Sequence, residues 1–312
     1  MTQARGGNAK LLMGFESAFG QDAMDGFVMP INSSELHSNR NIQAPATIRG
    51  NRNPAEPFEG NLAVEGSIVV PLDSDAFWYW LKAMFGNPTT GGAGPYTHEF
   101  EVPSSQLPLT MEHQFIDLTQ YAKFNGCKIS QWSMEVGGDG ELVSNFDLIG
   151  ATELISATPF DATPTALTMT RLKNFQASLQ EGGAALSNAR TVSFTVNMGL
   201  DADQYVIGGG GVRGDIPEGI ISVAGSLTTL FENVTLLNKA INSTESSLKI
   251  TVTADANHKI EILFPEIKYA RNTPGITGPG GILVNLDFQG YYDNAAEATS
   301  LQVTLTNQDA HA

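Results

Sequence analysis

The clearest pattern along the chain is the alternation of apolar and polar residues between Arg190 and Met198. Val192, Phe194, Val196 and Met198 are apolar, and Ser, Thr and Asn separate them. A period of two places successive side chains on opposite faces of a strand, so this segment predicts a half-buried β-strand. Less regular runs of the same kind recur from end to end, and they predict a mainly β protein.

Other segments with strand-like patterns are bounded by Gly, Pro, Asn or Asp. A Gly-Gly-Asp-Gly turn at residues 137–140 predicts a hairpin, and a bulge near Gln131 would restore the phase of the strand before it. The remaining strands are predicted at residues 10–19, 27–36, 62–72, 96–102, 107–115, 128–136, 141–150, 174–180, 248–253, 259–265, 282–290 and 301–305.

A strand followed by a helix occurs twice. Residues 65–84 and 224–241 each open with Gly-Ser, continue as an apolar strand, and become an apolar helix. Aligning Gly66 with Gly225 gives an offset of 159 in a chain of 312 residues, which favours tandem duplication. In each copy an acidic residue stands beside a predicted capping residue, and the first helix buries one apolar face. These residues are Asp73 with Ser74, Glu232 with Asn233, and the stripe Phe77, Trp78, Leu81, Met84 and Phe85.

The duplication predicts two domains, at residues 1–156 and 157–312, with a Pro-containing linker at about 157–168. Met13-Gly14 matches Met198-Gly199 at an offset of 185. We attribute the difference from 159 to about 26 extra residues in the first half. These coincide with residues 37–61, which are predicted to form a long polar loop. A loop of this length usually has a function, which makes it a candidate contact region, although a merely mobile excursion is the alternative.

The charge balance argues against nucleic-acid binding. The chain has 17 basic and 33 acidic residues, a net charge of −16 and no Lys/Arg cluster that could neutralise phosphates. No apolar run approaches the length of a membrane span, and the first residues lack the apolar core of a signal peptide. With the single cysteine Cys127, this predicts a protein made in a reducing cytoplasm, with no membrane association and no metal-ligand spacing.

Four short motifs resemble binding or reactive sites, and each has a simpler interpretation. Gly209, Gly211 and Gly214 match a dinucleotide fingerprint, but no helix follows them, so a loop is the better interpretation. The pairs Asp73/Asp75 and Asp201/Asp203 could bind Ca²⁺, although helix capping explains the first pair better. Cys127 is predicted to be a buried structural thiol, and the adhesion tripeptide at residues 213–215 is interpreted as a chance match. The sequence therefore predicts no enzyme, no cofactor and no metal.

The order of strands and glycines resembles the tail tube, or major tail, proteins of long-tailed bacteriophages. The resemblance rests on residues 124–136 (FNGCKISQWSMEV), 147–150 (DLIG), 221–228 (ISVAGSLT), 264–267 (FPEI) and 286–290 (LDFQG). It implies two tandem tube-type β-sandwich or barrel domains, each with one short α-helix. The function it implies is structural: subunits form rings that stack into a hollow tail tube, through which DNA passes without specific binding.

The resemblance also implies partners and a location. Members with one copy form rings of six subunits, so two copies per chain predict a trimer with pseudo-sixfold symmetry. The other expected partners are tape measure, terminator and baseplate proteins, in a virion tail assembled in the host cytoplasm. Candidate subunit or ring contacts are Arg40, Arg49, Arg52 and Arg213. The alternatives are a related ring component of the tail, such as a terminator or baseplate protein, or a carbohydrate-binding or hydrolytic β-sandwich.

Overall fold

The computed structural model describes residues 3–276 and 278–311, and over these residues the chain is mainly β with two helices. The strands are β1 (Ala9–Phe15), β2 (Phe27–Met29), β3 (Ser33–Ser34), β4 (His37–Gln43), β5 (Phe58–Pro71), β6 (Thr89–Gly91), β7 (Tyr96–Glu101), β8 (Leu109–Phe115), β9 (Gln120–Gly137), β10 (Val143–Gly150), β11 (Thr152–Ser156), β12 (Thr165–Ala166), β13 (Ala177–Glu181), β14 (Ala184–Ala185), β15 (Ala189–Asn197), β16 (Ser222–Leu230), β17 (Ser246–Thr253), β18 (Lys259–Tyr269), β19 (Leu283–Tyr291) and β20 (Gln302–Asn307). The α-helices are α1 (Phe77–Phe85) and α2 (Thr235–Ile241), and short 3-10 turns occupy Gly6–Asn8, Ile116–Leu118 and Asn174–Gln176.

Apolar alternation predicted most of these strands correctly. Val192, Phe194 and Val196 point into the core from β15. The predicted bulge is also present: Asp147 of β10 pairs with Gln131, whereas the next residue pairs with Ile129, which leaves Ser130 between them. The mainly β class and the single α-helix in each half are therefore confirmed.

Eight strands form one antiparallel sheet that runs through both halves of the chain. Their order is β4, β5, β10, β9, β15, β16, β19 and β18, and we call this the long sheet. The junction between the halves is the pairing of Gln131–Gly137 in β9 with Thr191–Asn197 in β15. Over the described residues the long sheet does not close on itself.

Two further sheets cover the apolar side of the long sheet. In the first half the order is β2, β1, β8, β9 and β11, and in the second half it is β14, β13, β17, β18, β20, β7 and β6. β9 and β18 each pair in the long sheet and in an outer sheet. One hydrophobic core lies between the sheets and includes Met13, Phe124, Trp132, Phe194 and Phe264.

Helix α1 fills the core of the first half. Every residue of the predicted apolar stripe is buried, and Trp80 is buried as well, stacked on Phe146 with 4.7 Å between ring centroids. The residues before α1 bear out the capping interpretation of the Asp73/Asp75 pair but not that of Ser74. Asp73, rather than Ser74, accepts hydrogen bonds from the backbone N–H groups of Asp75 and Ala76 at 2.7 and 2.6 Å. At α2 the predicted residue Asn233 accepts from the Thr235 N–H at 2.9 Å.

The segment predicted as a polar loop at residues 37–61 is largely a hairpin. β4 pairs with β5 from His37↔Glu65 to Gln43↔Phe58, and residues 44–57 connect the two strands. Polar side chains conceal the pattern because this hairpin buries little surface, so its alternation is weak. We call residues 37–61 the arm.

The proposed correspondence of Met13 with Met198 was wrong. Met13 lies in β1, which pairs with β8 as β13 pairs with β17 in the second half, whereas Met198 follows β15, which holds the position of β4. The arm therefore has a counterpart, the β15–β16 hairpin, and is not an insertion unique to the first half. In the segment predicted as a linker, β12 pairs in parallel with β2 of the first half.

Where the described residues are concerned, neither helix has the length and apolar content needed to cross a membrane.

Candidate functional site: the polar face of the long sheet

The long sheet has one buried face and one open face. Phe146, Trp132, Phe194, Leu227 and Phe288 lie on the buried face. The open face, which we call the polar face, is formed mostly by half-buried or exposed polar residues. The registers also place four apolar residues on it, the half-buried Val69 and Ile149 and the exposed Leu230 and Leu283. Its other residues include His37, Asn39, Glu65, Ser67, Gln131, Ser133, Glu135, Asn145, Asp147, Ser193, Thr195, Asn197, Ala224, Ser226, Thr228, Lys268, Asn285, Asp287 and Gln289.

The registers place these residues in rows that cross the sheet. Ser67 pairs with Asp147, which pairs with Gln131, which pairs with Asn197 across the junction. Because strand side chains alternate, residues paired in this way share a face. The polar face is therefore continuous through both halves of the chain.

The charge of the polar face is mainly negative. Its carboxylates are Glu65, Glu135, Asp147 and Asp287, and its only lysine is Lys268. Partial burial raises the pKa of Asp147, whose carboxylate accepts a hydrogen bond from Gln131 Nε2 at 3.0 Å. Small neutral side chains separate the charges, so the face offers a polyanion neither a basic patch nor an aromatic surface on which bases could stack.

An ion pair reinforces the junction. Lys128 Nζ lies 2.7 Å from Glu218 Oε1 and also donates to the Ile216 carbonyl at 2.7 Å, while Glu218 accepts from the Gln106 N–H. Lys128 is buried and Glu218 half-buried. Lys128 lies in the first half and Glu218 precedes β16, so the pair binds the second-half hairpin to the first-half sheet.

Arg213 belongs to the same junction. It is 6% exposed, and its guanidinium donates to the carbonyls of Ala202, Val64 and Gly150 at 2.6, 3.2 and 2.6 Å. The ring of Tyr205 lies 5.5 Å away. The sequence predicts Arg213 as a subunit or ring contact. In the single chain its side chain is buried and hydrogen-bonded within the junction, and a role in contacts between subunits stays a prediction.

The three other candidate contact residues, Arg40, Arg49 and Arg52, all lie in the arm. Arg40 forms an ion pair with Glu59 at 3.1 Å across the hairpin, and Arg49 donates to the Pro54 carbonyl at 2.7 Å. Arg49 and Arg52 are exposed. The structure thus gathers these three residues on one projecting segment, and their role as contacts remains a prediction.

The motifs set aside in the sequence have structural explanations. Gly209–Gly214 lies in the turns between β15 and β16 and opens no helix. Asp201 accepts from the Asp203 N–H and from Gln204, which is a turn contact. Cys127 is fully buried, and burial raises the pKa of its thiol. Among the described residues, no group of three His, Cys, Asp or Glu side chains is arranged to hold a metal ion.

Sequence reasoning missed the junction. Arg213 was predicted as a contact between subunits and as part of a chance tripeptide, and Lys128 only as the start of a strand, so neither was predicted to join the two halves. The single available signal was weak: Arg213 and Glu218 are charges in a segment otherwise dominated by Gly and apolar residues. Their partners in the first half lie 63 to 149 residues away in the chain, a distance that no local pattern spans.

Fold and surface together define a β protein whose distinctive feature is an extended polar sheet face rather than a pocket. The family model for "Phage tail tube protein" matches residues 6–290, and the chain therefore belongs to the phage tail tube protein family. This confirms the resemblance found in the sequence and makes the protein a structural component of the phage tail. No curated protein sequence matches the chain.

Proposed function

We propose that three copies of this chain form a ring with pseudo-sixfold symmetry, that rings stack into the tail tube, and that the polar face lines its lumen. The observation on which this rests is the continuity of the long sheet through both halves of the chain. Eight strands per chain would give twenty-four in a trimer. Barrels of about 16 to 18 strands already enclose an aqueous channel, so a larger barrel leaves room for a wide one.

The polar face suits a conduit for DNA. Carboxylates spaced among Ser, Thr, Asn and Gln repel phosphates without presenting groups that would hold them. A lining of this kind keeps DNA in the lumen mobile. We infer that the tube forms in the host cytoplasm and joins terminator, tape measure and baseplate proteins, as the family implies.

Electron microscopy and native mass spectrometry of the purified protein test the architecture. We expect a trimeric mass, rings with apparent sixfold symmetry, and stacked tubes. Isolated rings that never stack would favour the alternative of a terminator or baseplate ring. A monomer at all concentrations would contradict the proposal.

Charge reversal tests the lining. Glu135 and Asp287, both exposed on the polar face, are replaced together by Lys, and the matched control replaces the exposed turn residues Asp139 and Asp255. We expect assembled double-Lys tubes to retain fluorescent DNA in a way that weakens steeply with salt, while wild-type and control tubes retain none. Equal retention by the double-Lys and control tubes would place the polar face outside the lumen.

A further inference from the structure

The two ends of the long sheet each carry one side of a contact that resembles the junction inside the chain. At the junction, β15 pairs with β16 on one side and with β9 on the other. β4 holds the same position in the first half and, among the described residues, pairs with β5 alone. The segment that follows β18, Arg271–Ile276, corresponds to the part of β9 that pairs with β15. It is exposed except for the half-buried Pro274, and it is not paired in a sheet in the structure. Its contact with β19 includes a hydrogen bond from Asn272 Nδ2 to the Asn285 carbonyl at 2.9 Å.

The registers make this correspondence exact to the residue. Val64 pairs with Gly150, and Val223 pairs with Gly290. The residue before Gly150 is Ile149, which pairs with Lys128 on the next strand. In the same way, the residue before Gly290 is Gln289, which pairs with Lys268. Lys268 therefore occupies the position of Lys128.

The acidic partner corresponds as well. At the junction Leu200 bridges to Glu218, and in the arm Ile42 pairs with Glu59. Glu218 precedes Val223 by the same number of residues as Glu59 precedes Val64, and these are the two valines that pair with Gly290 and Gly150. A glycine follows each acid, Gly219 after Glu218 and Gly60 after Glu59. Glu59 therefore occupies the position of Glu218.

Both corresponding residues are exposed in the single chain. Glu59 has an exposed carboxylate whose partner is the arm residue Arg40, and Lys268 extends over the ring of Tyr291 at 5.4 Å. The sheet joins Lys128 to Glu218 within one chain, but it separates Lys268 from Glu59 by its full width. They can meet only between two chains.

We propose that Lys268 of one subunit pairs with Glu59 of the next, and that Arg271–Ile276 adds as a strand to the free edge of the neighbour's β4. This inference rests on the proposed ring. It assigns the arm to the neighbouring subunit within a ring, in the same way that the β15–β16 hairpin packs on the first half within the chain. The two surfaces differ, so the contact is head-to-tail and closes into a ring when the rotation allows.

Exposed apolar side chains lie on both surfaces. In the arm, Ile42, Ile48 and Phe58 are 66%, 97% and 52% exposed, and Ile220 beside β16 is 94% exposed. In the intrachain junction, the loop before β16 packs on β5, where the Leu62 N–H donates to the Gly211 carbonyl and Tyr205 donates to the Leu62 carbonyl. The same packing between subunits places residues 44–57 over Ile220 and Ile221, which removes apolar surface from water.

A charge swap tests the ion pair. The full chain is prepared as Lys268→Glu, as Glu59→Lys and as the double variant, with Lys10→Glu of the outer sheet as the matched control. We expect each single reversal to raise the concentration needed for ring formation at least tenfold, because like charges then face each other. The double variant should return to within about threefold of wild type. Single variants that assemble like Lys10→Glu, or a double variant no better than the singles, would overturn the pairing.

Cross-linking tests the geometry without relying on energetics. Glu59→Cys combined with Lys268→Cys is treated with a short bis-maleimide, and Glu59→Cys with Lys10→Cys is the control; Cys127 is buried in all of them. We expect covalent dimers and trimers from the first variant only. Wild-type rings together with uncross-linked Glu59/Lys268 variants would overturn this interface and leave the ring intact. Absence of rings from the wild type would overturn both proposals.

Discussion

Replacement of Arg213 by Ala measures how strongly the two halves of the chain are joined. The guanidinium is 6% exposed and donates to three backbone carbonyls, of which Val64 and Gly150 belong to the first half. The variant removes all three donors at once. It also leaves carbonyl groups at the centre of the junction without those partners.

The expected loss of stability follows from the number and charge of these contacts. A hydrogen bond from a charged donor contributes about 1.5–3 kcal/mol, and a buried acceptor left unsatisfied costs about 1–3 kcal/mol. Since the three bonds share one side chain and water can reach part of the space, we expect a total of about 4 kcal/mol rather than the full sum. Arg213→Lys retains the charge but not the planar fork, so it should cost about half as much.

Urea denaturation and limited proteolysis provide the measurement. We expect Arg213→Ala to lower the free energy of unfolding by about 4 kcal/mol and to expose residues 199–221 to protease. Arg52→Ala, which removes an exposed arginine of the arm, should remain within about 0.5 kcal/mol of wild type. If Arg213→Ala matched Arg52→Ala in both assays, the guanidinium would not join the halves.

Two further predictions concern the core. A Cβ on Gly225 would lie 2.3 Å from Phe288 Cζ and 2.5 Å from the Ser193 carbonyl, so Gly225→Ala should lower the free energy of unfolding by about 1–3 kcal/mol. Gly7→Ala, with open space around it, should be neutral, and thermal melts of the two variants provide the comparison. Burial raises the pKa of Asp73 from 3.8 to about 7, so the folded state keeps a proton that the unfolded state has lost, and stability falls as pH rises between these values, by on the order of 4 kcal/mol. Asp73→Asn keeps an oxygen acceptor and should abolish that part of the pH dependence in urea titrations at pH 4 to 8; an unchanged slope would contradict the assignment.

The strands could be predicted from the sequence where one face is buried and the other is open. In β15 every second residue contacts the core, so a period of two survives in the composition. The arm illustrates the opposite case. β4 has a single strand partner among the described residues, and most of its residues are exposed, so its sequence is constrained by pairing but hardly by burial. The polarity of the β4 sequence therefore resembles that of a loop.

The candidate site was only partly predictable. An acidic balance indicated a surface that does not hold nucleic acid, but which carboxylates share a face depends on registers between strands distant in sequence. The repeat was visible at Gly66 and Gly225 because neither position has room for a side chain. A Cβ at Gly66 would collide with the backbone of residues 35 and 36, between β3 and β4, and one at Gly225 with Phe288 and the Ser193 carbonyl. Met13 and Met198 gave a false match, since buried Met tolerates many environments and marks no particular position.

Comparison with the intrachain junction indicates how strongly two subunits can bind. The halves of one chain are already tethered, so their contacts pay no loss of translational and rotational freedom. The same contacts between chains must first offset an association cost of roughly 4–15 kcal/mol. If the interface copies the junction, the Lys268 pair and the β4 edge therefore bind more weakly than their intrachain counterparts. Ring formation should then depend on concentration, and contacts between stacked rings are expected to stabilise the trimer as the tube grows.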